Sequence, residues 1–243
     1  MAVMAGAAAT LLLTAAAPML RGGWAILTVH ELPESVVVGE ATTLTFSLRQ
    51  HGEELLAGRA PVVHLRTGGL LGERQRVAAE RTRQPGVYRA TFTPSDGDAL
   101  HLRVDTDFNG WDVELLPIPV RSGRGAVVTN AAGPARGSRP AVAASGPDRG
   151  RTLFVAKGCI GCHVKADDPM LRDYQEMRVG PELTGRSFPV DFLVQKMTDA
   201  ASLRPAQPRF GARQAVMPQL EVSEAEARAI ASYLNARSVA SRD

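Results

Sequence analysis

The sequence predicts two domains of different class, an N-terminal all-β antiparallel sandwich and a C-terminal all-α domain. Three observations carry this. Residues 26–120 hold short runs of alternating apolar and polar side chains, separated by turn signals at near-regular spacing. After Gly150 the apolar period becomes helical. Between the two, Ala, Gly, Pro, Ser and Arg fill 24 of the 30 positions from 121 to 150, too little apolar surface to offset chain entropy.

In the N-terminal segment the clearest strand is Thr43–Arg49, where Leu44, Phe46 and Leu48 alternate with polar residues, one face buried and the other wet. The same alternation recurs in Val87–Phe92 and Leu100–Val104. Ile26–His30, Pro61–Arg66, Arg74–Glu80 and Trp111–Val120 are further strands. Turns are marked by Val38-Gly39-Glu40, Gln50-His51-Gly52, Thr67-Gly68-Gly69, Gln84-Pro85-Gly86, Ser95-Asp96-Gly97 and Asn109-Gly110. About seven short strands without a helical period point to a sandwich of immunoglobulin type. Residues 121–150 read as a flexible linker with a reach of about 30 Å, enough for the flanking domains to move independently.

The C-terminal segment, 151–243, reads as helices. The strongest opens at Ser223, where Glu226 completes a capping box and Ala227, Ile230, Ala231 and Leu234 follow at helical spacing. Others are expected over Val190–Ala200 and from Thr152 to about Cys159. Gly180–Gly185 and Arg204–Pro218 are irregular connections of a kind often tied down by a ligand.

Residues Met1 to Leu20 carry no ionisable side chain, and Ala7–Ala17 includes Leu11-Leu12-Leu13, the apolar run of an export signal. Residues 1–25 are expected to be removed after Ala25, with a cut after Ala17 or an uncleaved membrane anchor as alternatives. The expected location is therefore the periplasm or the outer face of the cytoplasmic membrane. With 44% apolar and 22% charged residues, the 243-residue chain is neither disordered throughout nor a polytopic membrane protein. The net charge of +3 is too small for a nucleic-acid binder, and it is unevenly spread: −4 over 26–120, +4 over 121–150 and +2 over 151–243.

Both cysteines of the chain lie in Cys159-Ile160-Gly161-Cys162-His163. Two thiols at this spacing reach the two vinyl groups of one haem, and the adjacent imidazole lies under the iron. A thioredoxin-like dithiol would need a preceding strand, and a zinc site would need further ligands. The expected cofactor is one covalently attached haem c. A sixth iron ligand has four methionine candidates: Met170 and Met177 in a polar loop, Met197 inside the second helix, and Met217, held extended by Pro218. Arg186, Arg204, Arg209 and Arg213 are candidate partners of the haem propionates.

Residues 151–243 resemble a class I cytochrome c. The likeness rests on Gly150, Phe154, Cys159-x-x-Cys162-His163, Gly180-Pro181-x-Leu183, Met217-Pro218 and Tyr233-Leu234. It implies His163 and Met217 as axial ligands and Pro181 as the carbonyl that accepts the imidazole N–H. It further implies that the first and last helices cross where Gly150 and Phe154 meet Tyr233. The N-terminal segment resembles immunoglobulin-like domains of the YtkA or FixH type in Phe46-x-x-Arg49-Gln50-His51-Gly52, Gly86-Val87-Tyr88-x-Ala90-x-Phe92 and Leu115-Leu116-Pro117.

These features make the chain an exported one-electron carrier rather than a catalyst. Its partners would be redox proteins such as a membrane-bound oxidase or a quinol-oxidising complex, and its own membrane association would run through the N-terminus or such a partner. The competing readings are the haem subunit of a catalytic oxidoreductase, or a copper-handling or sensor protein using His30, His51, His64 and His101.

Overall fold

A computed structural model describes residues 22–68, 72–122, 147–174, 179–202 and 217–236. Its strands are β1 (Ala25–Val29), β2 (Val36–Val37), β3 (Thr42–Gln50), β4 (Glu54–Leu55), β5 (Val62–Thr67), β6 (Arg74–Ala78), β7 (Glu80–Arg81), β8 (Val87–Phe92), β9 (Ala99–Asp105), β10 (Asp112–Glu114) and β11 (Ile118–Arg121). One sheet runs β1-β3-β8-β7 with β4 on the side of β3, and the other runs β2-β11-β9-β5-β6 with β10 beside β9. All pairs are antiparallel except β2 with β11. Leu44, Phe46, Leu48, Tyr88, Ala90 and Phe92 of the first sheet share one apolar core with Val63, Leu65, Leu100, Leu102 and Val104 of the second. The domain is sandwich-like.

Two expected strands are divided. Arg74–Glu80 becomes β6, which pairs with β5, and β7, which pairs with β8, so the chain crosses between sheets at Ala79. Trp111–Val120 becomes β10 and β11 because Pro117, lacking an N–H, interrupts the ladder between them.

The C-terminal domain contains α1 (Pro147–Ala156), α2 (Val190–Thr198) and α3 (Glu224–Asn235), with 3₁₀ turns at Cys159–Gly161 and Pro169–Tyr174. Helix α1 starts five residues before the expected Thr152, with Pro147 at its first position, where a missing N–H costs nothing. It stops before Gly158, whose φ of 78° lies in the left-handed region. The final residues of the expected 121–150 linker are thus helical, while 123–146 lie outside the described residues. Helix α3 carries the capping box between Ser223 and Glu226. It crosses α1 closely: a Cβ on Gly150 would lie 2.1 Å from the Ala229 carbonyl oxygen, and the Phe154 and Tyr233 rings are 5.8 Å apart. Tyr233 Oη donates to Asp168 (2.8 Å), which also accepts from Arg151 Nε (2.7 Å), so the crossing is tied to the 3₁₀ turn after the cysteines.

The two domains are packed together, which corrects the expectation of independent motion. Strand β1 is buried at all five positions although it forms the edge of its sheet. Its alternate side chains Leu27 and Val29 face the sandwich core, while Ile26 meets Gly158 and Gly161 and Thr28 Oγ1 donates to the Lys157 carbonyl (3.4 Å). The face of β3 expected to be wet is covered at its C-terminal end, while Thr43 stays exposed: Ser47 is fully buried and donates to Glu221 (3.2 Å), and Arg49 donates to the same carboxylate (2.5 Å). At the centre lies Lys157, whose side chain is 0% exposed. Its Nζ reaches the His30 carbonyl at 2.7 Å, the Glu221 carbonyl at 2.8 Å and Glu226 Oε1 at 2.9 Å. Three ammonium protons meet three acceptors, the condition under which a buried charge is tolerated.

The N-terminal boundary also shifts. The Gly23 carbonyl accepts from Trp111 Nε1 (2.9 Å), the Trp24 carbonyl accepts from the His51 N–H (3.1 Å), and Ala25 begins β1. A cut after Ala25 would remove these contacts, so the folded domain starts before the expected site. Residues 1–21, with the alternative cut after Ala17, lie outside the described residues. Among the described residues no helix is long and apolar enough to cross a membrane.

Replacing Lys157 by Met should destabilise the folded protein by about 3–5 kcal/mol, because it strands Glu226 and two carbonyls in the interface; chemical denaturation measures this. Acid should loosen the interface as well. Burial, the largest single influence, raises the Glu221 pKa, but the hydrogen bond and charge of Arg49 together with smaller contributions outweigh it, and the net value lies below 4.5. A depressed carboxylate contributes stability above its unfolded pKa and loses it as pH falls through the folded value. Limited proteolysis should show the domains separating only at pH below about 4.5, with Glu221→Gln reducing that dependence.

Candidate functional site

The cysteine segment is shaped by hydrogen bonds within one turn. Gly158 leaves α1, and the N–H groups of Cys162 (3.2 Å) and His163 (3.0 Å) both donate to the Cys159 carbonyl. Cys159 is buried and Cys162 half-buried, and both are unpaired thiols. Burial, reinforced by Cys162 beside it, pushes the Cys159 thiol up to about 12. Burial raises Cys162 as well, opposed by the Trp24 indole N–H. Neither environment creates the stabilised thiolate of a dithiol redox centre.

The segment after the cysteines is joined to residues 180–184. Gly180 N–H donates to the Cys162 carbonyl (2.9 Å) and Leu183 N–H to the Val164 carbonyl (2.8 Å). This lays the Pro181 carbonyl against His163, where Nδ1 and the oxygen are 2.9 Å apart. A carbonyl only accepts, so Nδ1 carries the proton and Nε2 keeps its lone pair. Burial lowers the His163 pKa, partly offset by the Pro181 bond, and keeps the ring neutral. A Cβ on Gly180 would lie 2.7 Å from His163 Cε1, so only glycine lets the chain pass this close to the imidazole.

Of the four methionines, Met197 is buried in α2, Met170 is 53% exposed in the 3₁₀ turn, and Met177 lies outside the described residues. Met217 is half-buried against the core. Pro218 sits against the turn between β3 and β4, where a Cβ on Gly52 would meet the proline Cγ at 2.7 Å. Arg186 is exposed, while Arg204, Arg209 and Arg213 lie outside the described residues. The structure therefore brings together Cys159, Cys162, His163 and Pro181, and it places Met217 on a segment that also touches the sandwich.

Residues 147–238 match the family model for cytochrome c. The C-terminal domain is a cytochrome c domain. It implies a covalently attached haem c, and the donor set fits that group: two thiols two residues apart beside a neutral imidazole with Nε2 free. No curated protein matches the chain. Among solved structures it is similar to the Lin-41 filamin domain, at 15% identity over 40% of this chain and 93% of that one, TM-score 0.32. A superoxide reductase (neelaredoxin) from Ignicoccus hospitalis matches at 18% identity, over 40% of this chain and 80% of that one, TM-score 0.28. The E. coli alpha-2-macroglobulin matches at 14% identity, over 41% of this chain and 6% of that one, TM-score 0.34.

The histidines of the sandwich are dispersed. His64 lies on β5 and His101 on β9, both in the second sheet, while His51 belongs to the turn beside Trp24. Among the described residues no group of three or more His, Cys, Asp or Glu side chains is placed to hold a metal ion. Sequence reasoning missed Trp24, which lines one cavity with Ile160 and Gly161 of the attachment turn. Only its size distinguished it, and it was absorbed into the cleavage site Gly23-Trp24-Ala25.

Gly180→Ala should push the imidazole away from Pro181 and break the 2.9 Å bond. In the cytochrome this is expected to remove the slowly exchanging Nδ1–H resonance and disturb the haem spectrum; an unchanged resonance would show that the chain absorbs the methyl group elsewhere.

Proposed function

We propose that the protein is an exported monohaem c-type cytochrome that acts as a one-electron carrier. The observation that carries this reading is the His163 to Pro181 hydrogen bond, on a turn that holds both thiols of the chain, within the domain that matches cytochrome c. Cys159 and Cys162 would hold the haem as thioethers, and His163 and Met217 would ligate the iron. The bound haem supplies exchange of one electron between ferric and ferrous iron.

The chain's own residues set the conditions. Pro181 fixes the imidazole tautomer and ring plane and raises the basicity of Nε2. The thioether of Met217 would complete the coordination, and a His and Met pair favours a high reduction potential. The buried residues Leu153, Phe154, Leu193 and Met197 supply a low-dielectric surround. A cytochrome c domain implies redox partner proteins. The uncharged N-terminal run supports export to the periplasm, where a membrane-bound oxidase or quinol-oxidising complex would be the partner.

The sandwich, by its resemblance to the YtkA and FixH type, serves as an immunoglobulin-like docking module. The buried Lys157 contacts make it a fixed platform, so a partner bound to it would meet the haem domain in one orientation.

Met217→Ala should convert the low-spin spectrum to high-spin and allow carbon monoxide to bind the reduced protein readily, whereas the parent protein should bind it poorly. Rapid carbon monoxide binding by the parent protein would overturn the six-coordinate assignment.

A further inference from the structure

The sandwich meets the cytochrome domain at the attachment segment itself. A Cβ on Gly161 would lie 2.3 Å from Ile26 Cδ1, and one on Gly158 would lie 2.6 Å from both Ile26 Cγ2 and the Leu27 carbonyl oxygen. The turn between the cysteines is thus seated on β1, and Ile160 within it is 6% exposed. The Met217-Pro218 segment rests on the sandwich at Gly52. Between the domains lies a cavity of about 230 Å³, lined by Trp24, Ile26, Trp111, Ile160, Gly161 and Tyr174 among others.

Trp24 stands at this junction. Its ring packs on His51, with centroids 4.3 Å apart and planes tilted by 54°, and the preceding Gly23 carbonyl is held by Trp111. Its Nε1 is buried and makes no hydrogen bond of ordinary geometry. Trp24 shares the cavity wall with Ile160 and Gly161, the two residues between the cysteines, so its ring stands beside the attachment turn.

We propose that the haem site is shared between the domains and that Trp24 of the sandwich is a haem-edge residue, covering the Cys162 side of the group and holding water off it. This rests on the reading of Cys162 as a haem thioether. A haem bonded to that sulfur would have its porphyrin edge two bonds beyond Cys162, next to the cavity that Trp24 lines, and the indole ring supplies an apolar wall there. The sandwich then contributes to the cofactor environment, and its loss changes the electronics of the haem as well as any docking.

The test uses the full-length haem-loaded protein with ¹⁵N-labelled tryptophan. In the reduced state the Trp24 indole, assigned by its absence in Trp24→Phe, should show a nuclear Overhauser contact to a haem thioether methyl, within about 5 Å if the ring packs as a wall residue. Oxidation of the iron should move the Trp24 indole resonance more than that of Trp111. Trp24→Ala should admit water and shift the one-electron equilibrium toward the oxidised form by about tenfold, or about 59 mV. Trp24→Phe should recover most of that shift, since it restores the apolar wall. Covalent haem on Cys159 and Cys162, together with an indole that shows no haem contact and a Trp24→Ala potential equal to that of the parent, would overturn the proposal and leave the cytochrome reading intact. Absence of covalent haem from the parent protein would overturn both. A mature N-terminus at Ile26 would also refute it, because Trp24 would then be missing. If Trp24→Ala does not fold, the contacts in the parent protein decide alone.

Discussion

The arrangement of this protein depends on one buried ammonium group. Lys157 follows α1 directly, at the point where the chain turns toward the cysteines, and its three protons go to the strand end at His30, to the connection at Glu221 and to the first turn of α3 at Glu226. Those acceptors come from segments far apart in the chain. Satisfying the charge therefore requires the sandwich, the attachment helix and the terminal helix to be in place together. Glu226 links this to helix formation, since its other oxygen accepts from the Ser223 N–H in the capping box. A buried ion pair of this kind contributes little net stability over an apolar substitute, but it rejects alternative arrangements that leave the charge unpaired.

Much of the local structure was legible in the chain. The alternation in β3, β8 and β9 and the capping box of α3 are short-range signals, written within a few residues of where they act. The cysteine motif and its neighbouring histidine are legible for the same reason. The boundary of α1 was misplaced because Pro147, Arg149 and Gly150 are compositionally continuous with the segment before them.

The domain interface was not legible, and the reason is physical. Thr28, Ser47 and Arg49 are polar, and on a strand a polar alternate face reads as solvated. Here these three positions are shielded by the other domain and meet the Lys157 carbonyl and the Glu221 carboxylate. Nothing local in a serine or an arginine says whether water or another domain will satisfy it. The same holds for Gly158 and Gly161: each is intelligible as a turn residue, yet Gly158 also leaves room for the Leu27 carbonyl oxygen of another domain, and Gly161 lies against the tip of Ile26. Pro181 was expected only through the resemblance to class I cytochromes c, and the geometry supplies the reason for the glycine before it, a close passage beside the imidazole.

The covalent connection between the domains takes on a different meaning once they are seen to touch. Two modules joined by one chain meet at an effective concentration near the millimolar range, and at that concentration a contact worth only about −4 kcal/mol is half closed. A contact of that strength, with polar pairs such as those of Lys157, Arg49 and Glu221 in it, would be a weak complex between separate proteins. Within one chain it suffices, so the length of the segment from 122 to 147 sets how strongly the halves are held together as much as how far apart they can reach.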